Sequence, residues 1–177
     1  MSYTFDSSNP TQSRGTDSFH YYNGGPFHVS KEIHDRADAI HFTTNVLTSG
    51  VVLAGHVSAS LHCSFTGAES VDYVVRLCEV YPDGVTVVIA EGIQRIRSNH
   101  TTSVQVDVGS IGRIVKPGLR LRVYICSSAY PRWMVNSGHN DEHIHTPTLS
   151  THHIRCEPGN FNSSFIILPV YELSAEQ

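Results

Sequence analysis

The chain reads as an all-β protein, a jelly-roll β-sandwich, on three observations. Apolar residues recur at every second position in several runs, and short Gly- and Pro-containing turns separate the runs. Nothing with helical periodicity exceeds two turns. The 177 residues suffice for one domain with a sizeable core and are short for two.

Residues 1–35 differ from the rest. "SSNPTQSRGTDS" is polar and turn-forming, and "FHYYNGGPFHV" sets aromatics around a Gly-Gly-Pro break. This segment is predicted to be a linker or arm on a surface, with the sandwich domain spanning 36–177. From there the β signal is continuous. "VSASLHCSF" (57–65) puts Val57, Ala59, Leu61, Cys63 and Phe65 on one face and small polar residues on the other, the pattern of a strand with one buried face. "VDYVVRLCEVY" (71–81) is longer and more apolar, as a central strand is. It ends in "YPDG", where Pro82 presets the turn and Gly84 tolerates positive φ. "VTVVIAEGIQRIR" (85–97) runs back, with Gly92 expected at a bulge. "TSVQVDV" (102–108) is the next strand, and "KPG" turns into "LRLRVYICSS". There Leu119, Leu121, Val123 and Ile125 face one way, and Arg120, Arg122 and Tyr124 the other. "SSFIILPVYEL" (163–173) closes the domain.

Composition narrows the function. A formal net charge of −4 argues against a nucleic-acid partner held by phosphate neutralisation. No apolar run approaches the roughly 20 residues of a membrane span, and the first residues lack a signal-peptide pattern. The four cysteines (Cys63, Cys78, Cys126, Cys156) form no CxxC, and three sit in strand-like runs. Buried thiols rather than disulfides are expected, and with them a reducing, cytoplasmic location.

Ser127–Ser128, at the end of a strand, invites comparison with a nucleophile. A nucleophile elbow needs G-x-S-x-G on a strand-to-helix turn, and these serines have neither the glycines nor the helix. No catalytic residue is expected; the hydroxyls are assigned to backbone groups at the strand end. In "GHNDEHIHTPTLSTHH", His143-x-His145 resembles the start of a metal-cupin signature, because positions i and i+2 of a strand share a face. The acid that should follow is missing. His139, His143 and His145 are therefore weak metal candidates, together with Asp141 and Glu142, and no cofactor is expected. Sequons at Asn99 and Asn162 are read as chance occurrences. Arg95 and Arg97, like Arg120 and Arg122, sit two apart on strands, with Asp72, Glu79 and Asp107 as expected partners. Tyr130, Arg132, Trp133 and Asn136 follow, and an aromatic–arginine stretch of this kind favours a ligand- or partner-binding surface.

Taken in order, "VRLCEVYPDG", "EGIQRIR", "KPGLRLRVYICSSAYPRW" and "FIILPV" resemble the C-terminal β-domain of the X-Pro dipeptidyl-peptidase and cocaine-esterase family of serine hydrolases. "YTFDSSNP" and "HDRADAIHFTTNVL" extend the resemblance over nearly the whole chain. It implies a galactose-binding-domain-like jelly roll that supports an α/β-hydrolase domain carrying the Ser-Asp-His triad. Tyr81-Pro82-Asp83-Gly84, Arg95, Arg97, Gly118, Arg120, Arg122, Ser127, Ser128, Pro131 and Arg132 match family positions, none of them catalytic. The sequence departs from the family at "ESVDY", which keeps only Asp72 and Tyr73 of the usual pattern, at Leu119, and in the histidine-rich loop. The expected function is a non-catalytic domain docking on an α/β-hydrolase domain or subunit, or self-associating. The alternative is a carbohydrate or small-ligand module in which Tyr21, Tyr22, Tyr130 and Trp133 stack on a sugar.

Overall fold

The computed structural model describes residues 1–13, 28–29, 34–97, 102–141, 143–157, 159–160 and 162–171. Its strands are β1 (Ser2–Asp6), β2 (His28–Val29), β3 (Ile40–Thr43), β4 (Val51–Thr66), β5 (Val71–Val80), β6 (Thr86–Ile96), β7 (Thr102–Val115), β8 (Arg120–Cys126), β9 (Leu149–Ile154), β10 (Phe165–Ile167) and β11 (Val170–Tyr171). They form two antiparallel sheets, one six-stranded (β1-β9-β4-β10, with β7 and β11 also on β4) and one five-stranded (β2-β6-β5-β8-β3). The all-β sandwich is as expected. Among the described residues no helix is long and apolar enough to cross a membrane.

The core lies between the sheets. Val57, Ala59, Leu61, Cys63 and Phe65 of β4 are each at most 2% exposed, so the alternation does mark the inward face. From the opposite sheet Val71, Tyr73, Val75 and Leu77 of β5 and Leu121 and Ile125 of β8 meet them. β5 is central and buried along its whole length, because other segments of the chain cover its outer face as well. At "YPDG" the Tyr81 carbonyl accepts the Gly84 amide at 2.9 Å, with Gly84 at φ +87°. No cysteine is disulfide-bonded.

Three expectations need revising. First, part of the segment set apart as an arm is sheet: β1 pairs with β9, and Tyr3 and Phe5 lie in the core. Their every-other-residue spacing was masked by the polar run that follows. Residues 14–27 and 30–33, with Tyr21 and Tyr22, lie outside the described residues. Second, the bulge in β6 falls at Ile89, between the Leu77–Ala90 and Cys78–Val88 pairs, not at Gly92. Gly92 instead lets the sheets touch: a Cβ there would lie 1.8 Å from the Asp107 carbonyl oxygen of β7. Third, β7 runs on past Val108 to Val115, with Gly109 (φ +102°) taking up a register shift against Val57 and Ser58. The last strand, conversely, is broken in two at Pro169, which has no N–H for the ladder.

One side of the sandwich is therefore bound shut where β6 passes to β7 at Gly92. On the other side a cleft of about 360 Å³ opens between β3 and β10, lined by Phe42, Leu61, Val75, Val123 and Phe165.

His152 of β9 is fully buried. Its ring stacks on Tyr3 with centroids 4.6 Å apart and meets Tyr73 edge-on at 5.3 Å. Nε2 bonds Ser150 Oγ at 2.8 Å, whereas Nδ1 is enclosed with no hydrogen-bond partner. Burial, reinforced by neighbouring His153, pushes its pKa down to about 4.

Two predictions follow from this packing. The unfolded chain binds a proton at its histidines near pH 6.5 while folded His152 resists it until about pH 4, so stability is lost as pH falls through that window. Urea unfolding at pH 7 and 4.5 should show a loss of about 2–3 kcal/mol that is absent from the His152→Leu difference. Gly92→Ala should cost about 3 kcal/mol by forcing β7 off β6, whereas Gly84→Ala, with open space around it, costs about 1 kcal/mol for its positive φ alone.

Candidate functional site

The surface singled out by the sequence begins where β8 ends. Ser127 and Ser128 are buried at 1% and 3% exposure, so neither offers a hydroxyl to a substrate. Ser127 Oγ lies 2.8 Å from the Tyr3 hydroxyl and 3.3 Å from His152 Nε2, so its partners are side chains rather than the backbone groups expected. Although serine and histidine meet here, the imidazole has no carboxylate on Nδ1, and the pair is closed to solvent. Ser128 Oγ accepts the Thr11 amide at 2.7 Å. The two serines thus clamp the start of the chain onto the end of β8.

Beyond them the chain turns outward through the cis Tyr130–Pro131 bond. The Tyr130 amide donates to Thr11 O at 3.0 Å, and its carbonyl accepts the Ser13 amide at 2.7 Å. With its backbone held, the Tyr130 side chain stands 44% exposed. Arg132 lays its guanidinium 4.5 Å from the centre of the Trp133 ring, and its Nε is 3.8 Å from Glu91 Oε2. Burial lowers the Arg132 pKa from its ordinary value. Trp133 packs against Val74, Cys126 and Ala129 on the outer face of the five-stranded sheet. Met134, at 78% exposure, extends the apolar surface. Beside the patch a groove of about 710 Å³ runs between β6 and β7, with Arg113 and Arg132 among its walls.

Underneath lie charges that the sequence only partly disclosed. Glu91 Oε1 accepts the Arg76 Nε–H directly across the β5–β6 pair, and its Oε2 accepts Ser13 Oγ at 3.1 Å. Neither Arg76 nor Glu91 had been singled out; a charged residue inside the otherwise apolar run 71–81 was the available signal. Asp72 does pair with Arg95, through two bonds of 2.8 and 3.0 Å. Glu79 is also ion-paired, to Arg113 of the opposite sheet at 2.6 Å, and exposed Asp107 sits 3.3 Å from His56. Arg120 donates to Thr44 O, and Arg122 to Thr43 and Tyr124.

Asn136 is 6% exposed and spends its amide inside the fold. Its Oδ1 accepts Ser70 Oγ and the Gly138 amide, and its Nδ2 donates to Asp72. It positions the loop, while Tyr130, Arg132 and Trp133 make the surface. His143 and His145 fall in a loop rather than on a strand, both exposed. His139 is half-buried, with Nε2 enclosed and unpartnered. Glu142 lies outside the described residues, as does Asn99, while Asn162 is exposed. Among the described residues no three His, Cys, Asp or Glu side chains come together as metal ligands.

Comparison with known proteins agrees with this geometry. The profile of the X-Pro dipeptidyl-peptidase C-terminal non-catalytic domain matches residues 4–164. Cocaine esterase from Rhodococcus sp. (strain MB1 Bresler) is 31% identical over 183 aligned positions, which cover 95% of this chain and 32% of that protein. Among solved structures, an alpha-amino acid ester hydrolase superposes with a TM-score of 0.82 at 22% identity, over 97% of this chain and 32% of that one. An aminopeptidase from a marine-sediment Thaumarchaeota archaeon gives 0.79 at 16% identity, over 97% and 33%. The chain thus spans about a third of the length of these relatives. A β-sandwich with Ser127 and Ser128 buried and Arg76, Arg95 and Arg113 held in ion pairs, matched over residues 4–164 by one family profile, belongs to the X-Pro dipeptidyl-peptidase C-terminal non-catalytic domain family.

Proposed function

We propose that the domain docks on an α/β-hydrolase domain through the patch formed by Tyr130, Arg132, Trp133 and Met134, and has no turnover of its own. The observation that carries this is the construction of the patch. Tyr130 and Met134 project 44% and 78% exposed on either side of Arg132 and Trp133, with the Tyr130 backbone held by Thr11 and Ser13 and the Arg132 side chain beside buried Glu91. Exposed apolar side chains on a rigid base with an arginine beside them suit a protein partner, because little side-chain and loop ordering opposes binding. The relatives' extra length supplies a natural partner, since their matched portion is only about a third of each chain. The absence of disulfides fits a reducing, cytoplasmic setting. The sugar-binding alternative is disfavoured at Trp133, where Arg132 already occupies one ring face.

The purified chain is expected to release no p-nitroaniline from an X-Pro p-nitroanilide and to hydrolyse no simple ester. Turnover by the chain alone would overturn the reading. With the α/β-hydrolase segment encoded beside or in frame with it, calorimetry should show binding that Tyr130→Ala with Met134→Asp weakens about 100-fold. Binding indifferent to that pair of changes removes the patch from the interface.

A further inference from the structure

The carboxylates expected beside the β8 arginines are taken elsewhere: Asp72 by Arg95, Glu79 by Arg113 and Asp107 by His56. Arg120 and Arg122 consequently pair with no acid among the described residues. Half-buried Arg122 is held by neutral groups instead. Its Nε donates to Thr43 Oγ1 at 2.7 Å, and its Nη1 to the Tyr124 hydroxyl at 3.0 Å and to His34 Nδ1 at 3.1 Å. A guanidinium has five N–H donors, so the two on Nη2 are left without an acceptor among the described residues. Exposed Arg120, on the same strand face, donates only from Nη1, to Thr44 O at 3.2 Å. Burial, Arg122 and His34 together hold the pKa of neighbouring His41 below its ordinary value, as a surplus of positive charge does. Both arginines line a cavity of about 520 Å³ at one end of the sandwich, where the "YPDG" and "KPG" turns approach β3. Thr43 adds a hydroxyl to its wall, and Val46, Val80 and Tyr81 an apolar side. Among the described residues no carboxylate lines it, and Asp83 in the adjoining turn accepts the Val85 amide at 3.0 Å.

We propose that this cavity binds a small organic oxyanion, a carboxylate or phosphate monoester carried on an apolar body, anchored by Arg122 Nη2 and the Arg120 guanidinium. The volume is that of a small-molecule pocket, and the lining divides as such a ligand does, cations on one side and apolar surface on the other. Hydrogen bonds from a guanidinium to an oxyanion are charge-assisted, and among the stronger ones a protein makes. Arg122 is already oriented by Thr43, Tyr124 and His34, so little side-chain ordering opposes binding. The formal net charge of −4 repels anions at long range, so affinity must come from these local contacts. Trp133 packs on Cys126, at the other end of β8 from Arg120 and about 20 Å away, so the inference does not depend on the hydrolase reading.

The test is titration of the full chain with phenyl phosphate, benzoate, inorganic phosphate and neutral benzyl alcohol, followed in amide NMR spectra. At least one organic anion is expected to bind at about 1 mM or tighter and to shift the amides of Thr43, Gly84 and Gly118; the tighter of the two names the headgroup. Arg120→Gln and Arg122→Gln should each weaken that binding at least about tenfold. Arg120 is exposed, so its variant keeps the parent's circular dichroism and melting and carries the test should Arg122→Gln loosen Tyr124 and His34. No binding of either organic anion by about 10 mM, or binding indifferent to Arg120→Gln, overturns the proposal. So does equal affinity for benzyl alcohol, which makes the cavity merely apolar, or for inorganic phosphate, which leaves its apolar side no part in recognition.

Discussion

Glu91 is the group around which one whole side of the molecule is arranged. Its carboxylate has no exposed atom, and an ion taken out of water to that degree is tolerated only when paired and hydrogen-bonded. Arg76 supplies the pair across the strands, Ser13 adds a hydroxyl, and Arg132 closes at longer range. Each of these groups fixes something else. Ser13 is tied to Tyr130 through its backbone, and Arg132 lies on Trp133, whose ring covers Val74 and Ala129. Segments more than a hundred residues apart in sequence are thus brought together over one buried negative charge. Removing either member of the central pair leaves its partner buried and uncompensated, the costly case among ion-pair changes.

The second ion pair of the same face works in a similar way on the next loop. Asp72 and Arg95 face each other across β5 and β6, and Asn136 joins them from the loop after Trp133. That loop also receives Ser70, at the start of β5, through Asn136 Oδ1 and His139 O. The surface patch consequently rests on two anchors, one at each end. This explains how exposed Tyr130 and Met134 can hold position without being packed themselves.

Much of this was legible in the residues. Alternation located β4, β5 and β8 and their inward faces, because a half-buried strand imposes a period of two. The "YPDG" turn carried its own mechanism. What escaped depends on contacts distant in sequence. Tyr3 and Phe5 are core residues because β9, nearly 150 residues away, pairs with them, and no local pattern encodes that partner. Gly92 was seen to be special, but a bulge and a close backbone approach leave the same trace in a sequence; only the position of Asp107 separates them. At the patch, Tyr130, Arg132 and Trp133 were recognisable from residue type alone. Asn136 shared their loop but not their exposure, and burial of a loop amide cannot be read from its neighbours.

The contact between Gly92 and the Asp107 carbonyl has a mechanical meaning as well as a packing one. It brings the two sheets together like the spine of a book, while the β3 and β10 margins are the page edges, parted by a cleft of about 360 Å³. At the page edges the sheets face each other through side chains around the cleft, whereas near the spine parting them would displace backbone from backbone. The aromatic–arginine patch borders the groove along that spine, beside the place where the two sheets meet backbone to backbone.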